Sequence, residues 1–217
     1  PHDQVPGARN GKKLGDSLLI LGHHYQRDDV VKFADLRGDS FELSRSAALE
    51  KKAKFIVFCG VHFMAESAAI LCGKDQRVMI PDPLSGCPMA NMADLEEVEL
   101  SWEDITSITG NSLTPITYMN SDAKIKAFCG ERGGAVCTSS NAPGIFKWAL
   151  EKREKIFFFP DEHLGRNTAV KLGLSLDDII VWDSTKDLGG CTEEEIKRAK
   201  IIVWKGYCHV HTRFSVD

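Results

Sequence analysis

The chain has 217 residues, of which 43% are hydrophobic and 27% charged, the composition of an ordinary globular protein. Its longest apolar runs have four to five residues, whereas a membrane-spanning helix needs roughly 20. The 27 basic residues are balanced by 31 acidic ones, and the net charge of -4 argues against binding to nucleic acid or to an anionic membrane. Residues 1–16 lack the apolar core of a secretory signal, so we predict a cytoplasmic protein.

Eight short apolar runs predict β-strands. Each has three to five residues rich in Ile, Val and Phe, without alternation of apolar and polar residues. Such runs are typical of parallel strands that helices cover on both faces. In chain order the predicted strands are Leu18–Leu21, Phe55–Phe58, Val78–Ile80, Pro115–Met119, Ala135–Cys137, Ile156–Phe159, Ile179–Trp182 and Ile201–Trp204.

Helical segments are predicted between several of these strands. Apolar and charged residues at helical spacing predict a helix over Ser40–Lys51, and the capping segment Ser140–Pro143 predicts the start of another that runs through Ile145–Lys152. Glu193–Lys200 is predicted to be a short charged helix. Alternating strands and helices indicate an α/β protein, either repeated three-layer αβα domains with short parallel sheets or one (β/α)8 barrel, since eight strands can be counted.

A faint internal repeat favours the first architecture. Val78–Ile80 and Ile201–Trp204 are each followed by a short glycine-containing turn and a cysteine, Cys87 or Cys208. The repeat predicts a first domain over residues 1–86, a second over 87–207, and the start of a third at 208–217. The five other cysteines are predicted to be small buried hydrophobic residues: Cys59, Cys72, Cys129, Cys137 and Cys191.

Polar groups follow nearly every predicted strand. In parallel α/β proteins, ligands bind beyond the carboxyl ends of the strands, so this distribution favours an enzyme. Seven segments of this kind occur in order: Gly22-His23-His24-Tyr25-Gln26, Gly38-Asp39-Ser40, Gly86-Cys87-Pro88-Met89-Ala90, Tyr118-Met119-Asn120-Ser121, Val136-Cys137-Thr138-Ser139-Ser140-Asn141-Ala142, Pro160-Asp161-Glu162-His163-Leu164-Gly165-Arg166 and Gly206-Tyr207-Cys208-His209-Val210-His211. Together, and over nearly the whole chain from Leu18 to Phe214, they closely resemble the quinolinate synthetase A family of bacterial NAD biosynthesis.

The resemblance implies a reaction and a cofactor. Members of the family condense iminoaspartate with dihydroxyacetone phosphate to form quinolinate, with release of phosphate and water, and L-aspartate oxidase is implied as the supplier of iminoaspartate. They hold a [4Fe-4S] cluster through only three cysteines where three similar α/β domains meet, which leaves one iron open to substrate. By motif, the first two cysteine ligands correspond to Cys87 and Cys208. Soft thiolates suit such a cluster, and an open iron can act as a Lewis acid.

The resemblance also assigns the other site residues. His23 and Tyr25 correspond to the functional pair, which could bind a substrate anion or move protons near neutral pH. His24 is expected to be structural. The substrate-binding residues are expected to be His23, Ser40, Tyr118, Asn120, Ser139 and His211.

Local sequence supports some of these assignments. Ser40 and Ser139 are predicted N-cap residues, and a helix N-terminus is also suited to bind phosphate or carboxylate. Tyr118 and Asn120 end one predicted strand two residues apart, so both side chains are expected on the same side. His211 follows Cys208 closely and is expected beside the cluster.

The sequence departs from the family pattern in two places. Members have a third domain that brings the third cysteine and a His-Pro-Glu segment, whereas this chain ends nine residues after Cys208. We therefore expect that the C-terminal third is missing, and that these 217 residues alone are inactive and hold no ordered intact cluster. The stretches 120–139 and 183–191 are longer than in compact members and are predicted to be surface insertions.

Other interpretations remain open on sequence alone. The chain could be a non-catalytic iron–sulfur or metal-binding module, or hold zinc through Cys208, His209 and His211. A Schiff-base aldolase on a barrel would need a lysine of lowered pKa at a strand end, for which Lys54 and Lys205 are the candidates. The shared-cluster hypothesis predicts that the sulfur atoms of Cys87 and Cys208 lie within roughly 6–7 Å of each other.

Overall fold

The computed structural model describes residues 13–213 and divides the chain into two compact units, one ending at Cys87 and the other beginning at Pro88. Nine strands are present in the described part, in chain order β1 to β9: Leu18–His23, Leu36–Gly38, Phe55–Cys59, Arg77–Met79, Leu113–Tyr118, Ala135–Cys137, Lys155–Phe159, Ile179–Trp182 and Ile201–Trp204. Eight α-helices accompany them, α1 to α8: Asp28–Val31, Ser40–Leu49, His62–Leu71, Leu95–Thr109, Ala123–Glu131, Ala142–Lys152, Glu162–Lys171 and Glu193–Arg198.

Each unit contains one open parallel sheet. The strand order is β2-β1-β3-β4 in the first unit and β6-β5-β7-β9-β8 in the second, and every pair of neighbours is parallel. Neither sheet closes on itself, so the alternative of a single barrel is wrong and the αβα architecture is confirmed. In the described residues no helix is both long and apolar enough to cross a membrane.

The sheet of the second unit has an apolar core on each face. Phe157 and Phe159 of β7 pack on one side among residues of α4, α5 and α8, whereas Ile156 and Phe158 pack on the other among residues of α6 and α7. All residues of β7 and β9 are buried. The prediction that unbroken apolar runs mark strands covered on both faces is therefore confirmed for β7 and β9.

Two predictions about the chain between these elements are wrong. Residues 120–139 are part of the fold, because they contain α5 and β6, and Phe128 and Cys129 are buried in the core. Residues 183–191 also pack on the core, where a Cβ atom on Gly189 would lie 2.3 Å from the ring of Trp182. The polar composition of the two segments suggested surface insertions, but a few apolar or small residues in each are enough to pack it on the core.

The four strands of the first sheet match β6-β5-β7-β9 of the second in order, and the second sheet adds β8 at its edge. The matching strands also share a register. In the first unit His23, the last residue of β1, pairs with Gly38 at the end of β2. In the second unit Tyr118, the last residue of β5, pairs with Cys137 at the end of β6. The residue after each strand end continues the match: the backbone N–H of the next residue donates to the carbonyl of Gly38 or Cys137, at 3.1 and 2.7 Å respectively.

A second pair of hydrogen bonds shows that the two units also match beyond the ends of β3 and β4 in the first sheet and of β7 and β9 in the second. The first residue of α3, His62, donates its backbone N–H to the carbonyl of Ser85 at 2.8 Å, and the first residue of α7, Glu162, donates to the carbonyl of Gly206 at 2.8 Å. Ser85 and Gly206 each lie two residues before a cysteine. The internal repeat that the sequence only suggests is therefore a repeat of topology, register and hydrogen bonding.

Candidate functional site

His23 lies at the carboxyl end of β1 and is only 5% exposed. Its ring stacks on that of His24, with centroids 4.4 Å apart, and meets the edge of the Tyr25 ring at 4.8 Å. Burial, followed by the neighbouring His24, lowers the pKa of His23 to about 4, although Asp39 acts in the opposite direction. His23 is therefore neutral at physiological pH.

His24 and Tyr25 differ from His23 in exposure. The Tyr25 side chain is 81% exposed, so its hydroxyl is accessible to a ligand. The ring of His24 lies with Nδ1 3.1 Å from the carbonyl oxygen of Gly38, which ties it to the end of β2. A structural contact of this kind agrees with the role expected for His24.

Ser40 is the first residue of α2 and not its N-cap, which corrects the prediction from sequence. The N-cap is Asp39, whose carboxylate accepts hydrogen bonds from the backbone N–H groups of Phe41 and Glu42 at 2.9 and 2.8 Å. An aspartate three residues before a glutamate is itself a helix-start signal, so Asp39 could have been found from sequence. Because Asp39 performs the capping, the Ser40 hydroxyl is not needed for it.

Tyr118 and Ser139 come together at the carboxyl ends of β5 and β6. Burial raises the pKa of Tyr118 to about 12, with smaller contributions from Cys137, Asp161 and Cys208, while the side chain of Ser139 acts in the opposite direction. The phenol is thus a neutral hydrogen-bond donor at physiological pH.

Ser139 is not an N-cap either. Helix α6 begins at Ala142 with Asn141 in the cap position and a proline in its first turn, and Asn141 Oδ1 accepts from the backbone N–H of Thr138 at 2.7 Å. Ser139 lies in the turn before this helix, two residues after the end of β6, just as Ser40 lies two residues after the end of β2. Both serines therefore follow equivalent strands.

Asn120 and His211 lie outside regular strands. Strand β5 ends at Tyr118, so the strand pleat does not orient Asn120, which is half-buried. His211 is exposed and begins a short 3-10 turn, His211–Arg213. Their assignment to substrate stays a prediction from resemblance.

The turn that carries Cys208 is held from two directions. A Cβ atom on Gly206 would lie 2.0 Å from the carbonyl oxygen of Pro160, so only glycine allows this backbone approach. On the other side, Met92 Sδ accepts from the backbone N–H of Tyr207 at 3.4 Å, and the Met92 carbonyl accepts from Trp204 Nε1 at 2.7 Å. Sequence reasoning missed Met92, for which no local signal exists.

The seven cysteines differ in burial. Cys59, Cys129 and Cys137 are buried, and burial raises the pKa of each thiol, to about 12 for Cys137. The other four are half-buried, which corrects the prediction of burial for Cys72 and Cys191. Of these four, Cys87 and Cys208 each follow a turn whose carbonyl accepts from the first residue of the helix after the neighbouring strand. Since a metal ligand must be a thiolate that the metal can reach, Cys87 and Cys208 fit the donor set of an iron–sulfur cluster and the buried thiols do not.

Asp161 is 4% exposed and is the N-cap of α7, where it accepts from the backbone N–H groups of His163 and Leu164. These bonds organise the start of the segment that follows β7. Arg166 is half-buried on the same helix.

Neither lysine fits the Schiff-base aldolase. Lys205 Nζ lies 2.8 Å from Asp183 Oδ2, and this bond raises the pKa of the lysine, whereas imine formation needs a lowered one. Lys54 is exposed and precedes β3, at the amino end of the sheet. The aldolase alternative required a barrel and a strand-end lysine of lowered pKa, and the described structure provides neither.

Comparison with known proteins agrees with the resemblance. The family model described as quinolinate synthetase A protein matches residues 9–217. The chain belongs to the quinolinate synthetase A family. It is 55% identical over 222 residues to a quinolinate synthase of Nocardioides sp., which covers 98% of this chain and 56% of that protein.

Two further relatives give the same result. Quinolinate synthases of Streptomyces coelicolor and Acidobacterium capsulatum are 53% and 55% identical over 218 and 214 residues, covering 99% and 98% of this chain. These alignments cover 55% and 57% of the relatives. The chain thus spans little more than half the length of these members of the family.

Proposed function

We propose that the complete protein to which this chain belongs is a quinolinate synthase, which condenses iminoaspartate with dihydroxyacetone phosphate to quinolinate, with loss of phosphate and water, in NAD biosynthesis. The relatives at 53–55% identity carry that name, which supports the product. We also propose a [4Fe-4S] cluster as its cofactor, with Cys87 and Cys208 as two of three ligands. The third would come from the length of the relatives that this chain does not span.

One observation carries the ligand assignment: the two cysteines occupy equivalent positions in the repeat. Each lies two residues after a carbonyl that accepts the N–H at the start of α3 or α7. They also follow β4 and β9, the strands that neighbour the equivalent β3 and β7. A repeated unit that presents one thiol per copy is what a cluster held by single cysteines from similar domains requires.

The cluster would supply an iron atom that can act as a Lewis acid toward a substrate hydroxyl or carboxylate. This chain's residues would bind and orient the substrates. Tyr118 is a neutral donor that already interacts with Cys208 and is aligned by Ser139, so its phenol can hold a substrate oxygen near that cysteine. Ser40, which also lies two residues after a strand end, can contribute a second hydroxyl.

The substrates also indicate the setting. Iminoaspartate is an imine, which water hydrolyses, so an oxidase of L-aspartate that produces it is the partner we propose. Both substrates are small anions, and the negative net charge of -4 means that binding relies on local donors more than on the overall field. We also propose a cytoplasmic location for the complete protein.

The cluster assignment is tested by replacing each candidate ligand with serine in the complete protein, purified anaerobically. Cys87→Ser and Cys208→Ser should each abolish the broad visible absorption of the cluster and lower the iron and sulfide content, because serine is a poor ligand for iron in such a site. Cys72→Ser and Cys191→Ser are matched controls, one in each unit, with half-buried thiols. They should leave absorption and metal content unchanged.

The buried Cys59 and Cys137 provide a further comparison, and their serine variants should also keep the cluster. Equal loss in all variants would show that the cysteines act through packing and would overturn the ligand assignment. A full cluster without conversion of iminoaspartate and dihydroxyacetone phosphate to quinolinate would instead identify a non-catalytic iron–sulfur module and overturn the proposed reaction.

A further inference from the structure

The backbone around His23 selects one tautomer of its imidazole. The Nδ1 atom of His23 lies 3.3 Å from the backbone nitrogen of Tyr25, which donates its hydrogen. A backbone N–H can only donate, so Nδ1 must present its lone pair. The proton of the neutral ring therefore sits on Nε2.

His24 is constrained in the opposite way. Its Nδ1 lies 3.1 Å from the carbonyl oxygen of Gly38, which can only accept, so this nitrogen carries a proton. The backbone N–H of His24 donates to the same carbonyl at 3.1 Å. Two bonds thus fix His24 to the end of β2, and its ring offers a flat surface on which the ring of His23 stacks, inclined by 26°.

The groups around His23 disfavour a charge on its ring. His24 is a second imidazole in direct contact, Tyr25 contributes a ring edge, and Asp39 is the acidic group that opposes them. Burial outweighs Asp39, and the pKa of His23 falls to about 4. A ring with that pKa is a poor carrier of protons near neutral pH, in contrast to the role considered from sequence.

We propose that His23 acts as a neutral hydrogen-bond donor, through Nε2–H, to a carbonyl or anionic oxygen of the substrate, and that His24 is the positioning residue that holds its ring. This inference deepens the proposed function and rests on it for the identity of the ligand. The protonation pattern itself can be measured without substrate.

The first test is nitrogen-15 NMR of the imidazole rings in the 217-residue chain across a pH series, with His23→Gln used to assign the His23 signals. We expect an unprotonated Nδ1 and a protonated Nε2 for His23 at pH 7, and a titration midpoint far below the ordinary 6.5. A protonated Nδ1, or a midpoint near 6.5, would overturn the proposal. This outcome does not depend on whether the protein makes quinolinate.

The second test separates the two contacts of His24. His24→Phe keeps a stacking ring but loses the bond to Gly38, whereas His24→Asn removes the ring and keeps an amide donor. If stacking positions His23, the phenylalanine variant should retain the single tautomer and the asparagine variant should show a mixture. An unchanged His23 spectrum in His24→Asn would remove the positioning role, and circular dichroism checks that both variants fold.

The third test compares two amides in place of His23 in the complete protein. The side-chain nitrogen of glutamine can take the place of Nε2, and that of asparagine the place of Nδ1. We expect His23→Gln to keep turnover within about tenfold and His23→Asn to lose at least a further tenfold, which corresponds to about 1.4 kcal/mol. Better turnover in the asparagine variant would contradict donation through Nε2, whereas failure of all forms, wild type included, to make quinolinate would contradict only the proposed function.

Discussion

At the scale of single residues, the proximity of Tyr118 and Ser139 is the clearest sign of a prepared site. Burial raises the pKa of the half-buried phenol, and the Ser139 side chain opposes that shift. The serine hydroxyl can both donate and accept, so it can align the phenol while leaving a donor for substrate. The pair should therefore act as a unit.

We expect Tyr118→Phe and Ser139→Ala each to weaken substrate binding by about 1–3 kcal/mol, because each removes a hydroxyl that can donate a hydrogen bond to an anionic substrate. The double variant should lose less than the sum of the two, with a coupling of at least about 0.5 kcal/mol. Titration calorimetry with dihydroxyacetone phosphate, or the apparent affinity in turnover, measures both quantities in the complete protein.

Ser40→Ala should show a similar loss, because Ser40 follows the equivalent strand and is not needed as a cap. Ser140→Ala is the matched control, since the Ser140 hydroxyl is exposed and bonds Thr138 at 2.9 Å. Additive effects of Tyr118→Phe and Ser139→Ala would show that the two side chains contact substrate separately, against the alignment proposed here.

The caps of two helices show where prediction from sequence failed. Ser40 and Ser139 were singled out as N-caps, but Asp39 caps α2 and Asn141 occupies the cap position of α6. Local patterns cannot decide between neighbouring polar residues when each can cap a helix. The partnership of Tyr118 with Ser139 depends on the pairing of β5 with β6, which no single segment encodes.

At the scale of elements, the strongest sequence signals were those of buried strands. β7 and β9 were predicted almost to the residue because every position in them is apolar or buried. β2, Leu36–Gly38, was missed because a three-residue edge strand with one apolar side chain has no hydrophobic run. Its existence depends on pairing with β1, which is a tertiary effect.

The segment after β8 provides a test of how tightly such polar elements pack. Gly189 and Gly190 both have positive φ angles, 65° and 77°, so an alanine at either position has a similar backbone cost of about 1 kcal/mol. A Cβ atom on Gly189 would also lie 2.3 Å from the Trp182 ring, whereas one on Gly190 would meet only the flexible Lys186 side chain at 3.0 Å. Gly189→Ala should therefore destabilise the second unit by about 1–3 kcal/mol more than Gly190→Ala.

Urea unfolding followed by tryptophan fluorescence measures this difference, because all four tryptophans lie in the second unit: Trp102, Trp148, Trp182 and Trp204. Equal stability of the two variants would mean that residues 183–191 can move away from Trp182 at little cost, as expected of a surface insertion.

At the scale of the whole molecule, the shared-cluster hypothesis makes a claim about two thiols from different units. If Cys87 and Cys208 bind one cluster, their sulfur atoms should lie roughly 6–7 Å apart. A short bifunctional thiol reagent such as dibromobimane should then link them in cluster-free protein, and mass spectrometry of the digest should recover the joined peptides. Reaction of both thiols one at a time, without a link, would argue against a common cluster.

Cys87→Ser and Cys208→Ser are the controls for this experiment, since each should abolish the link. Cys72→Ser and Cys191→Ser should preserve it, which excludes a link through another half-buried thiol. Sequence alone could identify the two candidates from their glycine turns, and the hydrogen bonds from His62 and Glu162 support their equivalence.

The repeat has a consequence for ancestry. Two halves with one strand register and matched hydrogen bonds are the expected product of duplication and fusion of a single ancestral segment. The copies have kept a serine and a cysteine at matching places, Ser40 with Ser139 and Cys87 with Cys208, but they differ at the end of the first strand, where one has His23 and the other Tyr118. Divergence has thus retained a hydroxyl and a thiol at matching places and exchanged an imidazole for a phenol at the end of the first strand.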